Sequence, residues 1–131
     1  MRPDGAPLVL VAEDTSVNQL VVRRMLEKLG CDVDVVSNGR EAVSAVEGSP
    51  YAVVFMDVQM PEMDGFEATA EIRRRESRGA GHTPIVAMTA STLESDTERC
   101  LAAGMDDYVR KPLRLAELDV VVRRWAPRSL S

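Results

Sequence analysis

The chain has 131 residues, 45% of them apolar and 28% charged, with a net charge of −5. That length fits one ordinary domain, and the balance fits a globular chain with a core. The negative charge argues against a nucleic-acid-binding surface, and the longest early apolar run, Leu8 to Ala12, is too short for a secretory leader or a membrane span.

Met1 to Pro7 reads as a tail. Leu8-Val9-Leu10-Val11-Ala12 is continuously apolar, as in a strand covered on both faces. Val17 to Leu29 carries apolar residues at 17, 20, 21, 25, 26 and 29 and stops at Gly30, which predicts an amphipathic helix. Cys31 to Val36 alternates as an edge strand does. Asn38 or Gly39 opens a second helix through Glu47, with Ala42, Val43 and Val46 inward. Tyr51 to Met56 is a third strand. Gly65 to Arg75 is a third helix with Phe66, Ala70 and Ile72 on one side, and Asp64-Gly65 forms its start. Ile85 to Met88 is a fourth strand, Leu93 to Ala103 a helix stopped by Gly104, and Asp107 to Arg110 a short strand. Leu115 to Trp125 is a fifth helix, and Ala126 to Ser131 a second tail. Residues 8–125 thus read as one domain. Five strands alternating with five helices imply a mostly parallel sheet covered on both faces.

The arginine runs Arg73-Arg74-Arg75 and Arg123-Arg124 read as solvated helix faces. Cys31 and Cys100 show no metal or disulfide spacing, so a reduced, cytoplasmic setting is expected.

In such sheets ligands bind beyond the carboxyl ends of the strands. There this sequence turns abruptly polar: Glu13 and Asp14 after the first strand, Asp57 after the third, Thr89 after the fourth and Lys111 after the fifth. Three carboxylates at one sheet edge repel one another, and one lysine cannot neutralise them. A hard divalent cation with oxygen ligands would, and Mg²⁺ suits such a set together with phosphate oxygens. The chemistry this invites is phosphoryl transfer, with an aspartate as nucleophile. Lys111 is one of only two lysines among sixteen basic residues, a point charge suited to phosphate.

Val11-Ala12-Glu13-Asp14, the stretch from Phe55 through Met56-Asp57-Val58-Gln59-Met60-Pro61 to Gly65, Pro84 to Ala90, and Tyr108-Val109-Arg110-Lys111-Pro112 resemble the marks of response-regulator receiver domains, over essentially Leu8 to Trp125. The resemblance implies a flavodoxin-like, doubly wound α/β fold with five parallel strands in the order 2-1-3-4-5. It implies Asp57 as phosphoacceptor. Mg²⁺, with Mn²⁺ as the substitute ion, would sit on Asp14, Asp57 and the Gln59 backbone carbonyl, with Glu13 acting through water. Lys111, Thr89 and Ala90 would lie at the phosphoryl group, and Tyr108 would move inward with Thr89. Gln59 and Ser91 would tune the lifetime of the phosphoryl group. Lys111-Pro112 would be cis. Thr15 departs from the Asn that hybrid-type members often carry.

His82, the sole histidine, lies in a Gly-rich loop and reads as surface, so the phosphoryl donor must be a partner's histidine. The resemblance points to a histidine kinase or histidine-phosphotransfer domain as that partner. The fourth helix, fifth strand and fifth helix would form the output face and could also pair two copies. No membrane contact by this domain is expected. Glu13 to Asn18 and Met56 to Pro61 are most similar to receivers of hybrid sensor histidine kinases, ahead of a stand-alone regulator. A haloacid-dehalogenase-like phosphatase would need an acid two residues after the nucleophile, where Gln59 stands.

Overall fold

The computed structural model describes residues 6–79, 81–90 and 94–126. Ser91, Leu93 and most of both expected tails lie outside them. The chain alternates through β1 (Leu8–Ala12), α1 (Ser16–Lys28), β2 (Asp32–Val36), α2 (Gly39–Gly48), β3 (Val53–Asp57), α3 (Gly65–Glu76), β4 (Ile85–Thr89), α4 (Glu94–Ala102), β5 (Asp107–Arg110) and α5 (Leu115–Trp125). The strands form one sheet in the order β2-β1-β3-β4-β5, and every neighbouring pair is parallel. The doubly wound order expected from the resemblance is therefore the observed one. The chain moves from β1 to one edge, then from β3 to the other, so the reversal lies between β1 and β3.

The sheet is covered on both faces because its central strands are apolar up to the polar residues that end β3 and β4, Asp57 and Thr89. Successive side chains point to opposite faces. Val9, Val11, Val53, Phe55, Val86, Met88 and Val109 pack with Val22 and Leu26 of α1 and Leu118, Val121 and Val122 of α5. The alternate set, Leu10, Val54, Met56, Ile85 and Ala87, packs with Ala42 and Val43 of α2, Ala68 and Ile72 of α3, and Cys100 of α4.

Helix ends follow local chemistry. Asp64 caps α3: its side chain accepts from the Glu67 amide at 2.8 Å while the Glu67 carboxylate accepts from the Asp64 amide at 3.1 Å. Asn38 caps α2. Thr15 precedes α1 without a side-chain cap bond. The glycines expected to stop α1 and α4, Gly30 and Gly104, have φ of 91° and 103°.

Several expectations are corrected. The β3 strand begins at Val53, not Tyr51, whose hydroxyl instead donates to Asp34 at 2.8 Å. In α3 the buried side is Ala68, Thr69 and Ile72; Ala70 is exposed. In α1 only Val22 and Leu26 are buried, whereas Val17, Leu20 and Val21 face outward. Arg73 is not a solvated residue. Its side chain is 18% exposed against 53% for Arg74. Its guanidinium donates to the Gly104 and Thr83 carbonyls at 2.9 and 2.8 Å and to Glu76 and Asp106 at 2.7 Å. His82 is exposed, with Nε2 2.7 Å from Asp106 Oδ1. Ala126, read as the start of a tail, is buried.

Candidate active site

The strand alternation decides which side chains meet. Glu13 continues the phase of Val9 and Val11, Asp57 that of Val53 and Phe55, and Lys111 that of Val109. These three meet where the sheet reverses. Lys111 Nζ donates to Glu13 Oε1 at 3.0 Å and to Asp57 Oδ2 at 3.1 Å. The second oxygen of each acid is held by backbone: Thr15 N–H donates to Glu13 Oε2 and Gln59 N–H to Asp57 Oδ1, both at 3.1 Å. Glu13 is 1% exposed and Asp57 5%, while Asp14 is exposed. Among the described residues, every buried side-chain nitrogen or oxygen has a hydrogen-bond partner.

Burial opposes the charge on Lys111. Its bond to Glu13 and the charge of Asp57 outweigh that penalty, so its pKa lies above the usual lysine value. One ammonium among three carboxylates still leaves the cluster two charges negative. Glu13, Asp14 and Asp57 each offer an oxygen within 4.8 Å of the others'. A hard divalent cation fits this donor set in charge and ligand type, and Mg²⁺ fits the low carboxylate count with room for water and phosphate oxygens.

The cluster forms one wall of a cleft of about 800 Å³ whose lining also includes Gln59, Thr89 and Ala90. Thr89 is buried, and its carbonyl accepts from the Lys111 amide at 2.8 Å. Tyr108 is half-buried in the phase of the opposite face, the one that also holds α4, with the Arg110 guanidinium 5.7 Å from its ring. The Lys111-Pro112 bond is cis. Thus Glu13, Asp14, Asp57, Gln59, Thr89, Ala90 and Lys111 share one cleft, Tyr108 packs against the opposite-face core and is not part of that lining, and Ser91 lies outside the described residues.

Sequence reading missed supporting residues. Gln19 Nε2 donates to the Glu13 carbonyl at 2.6 Å, and the Arg99 guanidinium lies 4.3 Å from the Phe66 ring at the cleft's other wall. Neither has a strand-end position to announce it.

A sequence model described as the response regulator receiver domain matches residues 9–123, and the chain belongs to that family. Sensor histidine kinase GacS of Pseudomonas protegens is 42% identical over 121 residues, which cover 92% of this chain and 13% of that protein. Across eight such relatives the chain spans 4% to 15% of the relative's length. A solved receiver domain of sensor histidine kinase PA1611 from Pseudomonas aeruginosa, with a magnesium ion in its active-site cleft, has 42% identity and a TM-score of 0.82, covering 92% of this chain and 97% of that one. The co-crystal structure of the yeast phosphotransfer protein Ypd1 with the receiver domain of Ssk1 matches with 30% identity and a TM-score of 0.87, covering 95% and 91%. Among the described residues no helix is long and apolar enough to cross a membrane.

Proposed function

We propose that this receiver domain takes a phosphoryl group from a partner's phosphohistidine onto Asp57. The observation that carries the reading is the junction of Glu13, Asp57 and Lys111 beside exposed Asp14. An Asp57 carboxylate oxygen attacks phosphorus, the P–N bond breaks, and its electron pair stays on the partner's imidazole nitrogen. Lys111 holds Asp57 in place and neutralises charge on the transferring oxygens. Asp14, Asp57 and the Gln59 carbonyl would hold Mg²⁺ or Mn²⁺, with Glu13 acting through water; the ion supplies charge neutralisation at the phosphoryl oxygens. The Thr89 hydroxyl then bonds the acquired phosphoryl group, small Ala90 leaves it space, and Tyr108 moves inward behind it. Gln59 and Ser91 would tune the lifetime of the phosphoryl group.

The donor docks on α1. Val17, Leu20 and Val21 form an exposed apolar patch on the helix that starts beside Asp14, which suits the apolar face of a histidine-bearing helical domain. The kinase relatives and the Ypd1 complex support a parent hybrid histidine kinase and a histidine-phosphotransfer partner; the setting we propose for both is the cytoplasm. The α4-β5-α5 face, where Leu101 and Val120 are exposed, would carry output or pair two copies.

Incubation with a ³²P-labelled histidine-phosphotransfer domain tests this. Label should pass to the wild type and not to Asp57→Asn. Label on the variant, or none on the wild type from any donor, contradicts the assignment.

A further inference from the structure

The turn between β2 and α2 carries no residue of the acid cluster, yet it touches both segments that do. On one side Ser37 Oγ accepts from Gln19 Nε2 at 3.2 Å, and the same amide donates to the Glu13 carbonyl. The Glu13 amide donates to Val36 at 3.1 Å. On the other side lies the 58–64 loop, which follows Asp57 and contains Gln59. Gly39 N–H donates to the Met63 carbonyl at 3.0 Å. A Cβ on Gly39 would stand 2.3 Å from that oxygen and 3.1 Å from the Ala68 Cβ, so only glycine permits this approach.

Asn38 adds a second tie. Its Oδ1 caps α2 by accepting from the Glu41 amide at 2.9 Å, and its Nδ2 donates to Glu62 Oε2 at 3.1 Å. Glu62 has φ of 66°, the one non-glycine residue with positive φ among those described. A residue in that region stays there only where its surroundings hold it.

We propose that Asn38 and Gly39 are positioning residues that set Mg²⁺ affinity by fixing the 58–64 loop against Glu13 and Asp14, without touching the ion. The inference rests on the metal-assisted reading above. Groups behind the ligands commonly change metal affinity about 10–100-fold.

Calorimetric Mg²⁺ titration and amide exchange of residues 59–63 without metal would test it. The proteins are the wild type, Gly39→Ala, Asn38→Asp, and Asn38→Asp combined with Glu62→Gln. Gly39→Ala pushes the Met63 carbonyl away and should weaken Mg²⁺ binding about tenfold. Asn38→Asp keeps a capping oxygen but sets a carboxylate against Glu62. It should weaken binding a few-fold and speed exchange, although added negative charge alone would tighten a cation. Glu62→Gln then restores a donor and should recover most of the loss. At saturating Mg²⁺ all variants should accept phosphoryl like the wild type. Should Gly39→Ala fail to fold, the Asn38→Asp series decides.

Dissociation constants within twofold of wild type, or tighter binding by Asn38→Asp, overturn the inference alone. A wild type that takes neither Mg²⁺ nor phosphoryl overturns the functional reading and this inference together.

Discussion

Among the described residues Lys111 is the one cation bonded to both buried acids, and its removal leaves Glu13 and Asp57 facing each other. Breaking a buried pair costs about 3–5 kcal/mol, but Lys111 is 26% exposed and solvent screens part of that. Lys111→Met should therefore lose about 2 kcal/mol in urea unfolding without Mg²⁺, and regain part of it when Mg²⁺ is added. Because the folded-state pKa is raised, the lysine's contribution is full below the ordinary lysine pKa and fades as pH rises through the higher folded value. Glu71 is the opposite case. Bonds from Arg74 and Arg75 hold its pKa down to about 2. Its stabilisation is present above the ordinary glutamate pKa, about 4.3, and is lost as pH falls through about 2. A carboxyl NMR titration should give that midpoint; an ordinary one would contradict it. At this scale the strand-end residues were legible because polarity changes abruptly after apolar runs. The Asn38–Glu62 tie was not, because twenty-four positions separate partners that only the fold brings together.

At the scale of elements, the arginine run of α3 separates pattern from packing. Charge clustering suggested three equivalent solvated residues. The α3 terminus instead points Arg73 into the gap between Thr83, Gly104 and Asp106. Arg73→Ala should cost about 2–3 kcal/mol in chemical denaturation, since two carboxylates and two carbonyls each lose a donor. Arg74→Ala should stay within about 0.5 kcal/mol. Equal costs would refute the distinction. In α1, helical spacing located the helix but not which apolar residues it buries. Leu20→Glu should leave stability and acetyl-phosphate labelling unchanged while slowing transfer from a histidine-phosphotransfer domain at least tenfold, about 1.4 kcal/mol in the transition state. A rate equal to wild type would remove α1 from the docking surface.

For the whole molecule, alternation of apolar strands and amphipathic helices was enough to predict a parallel sheet covered on both faces. It was not enough to order the strands. That came from the resemblance, because β1 is apolar throughout, β3 is apolar up to its final Asp57, and their adjacency leaves no periodic mark. The order matters: it sets β1 beside β3 and so brings Glu13 to Asp57. The whole fold thus holds a cluster two charges short of neutral. Mg²⁺ at a hundred times its dissociation constant should stabilise the protein by about 2.7 kcal/mol, seen as a rise in Tm.

The phosphoacceptor assignment meets its most direct test in intact mass after incubation with acetyl phosphate, with and without Mg²⁺, for the wild type and Asp57→Asn. The expected result is the gain of a single phosphoryl group by the wild type, only with Mg²⁺, and none by the variant. An equal gain by Asp57→Asn, or a gain by the wild type that ignores Mg²⁺, would contradict it.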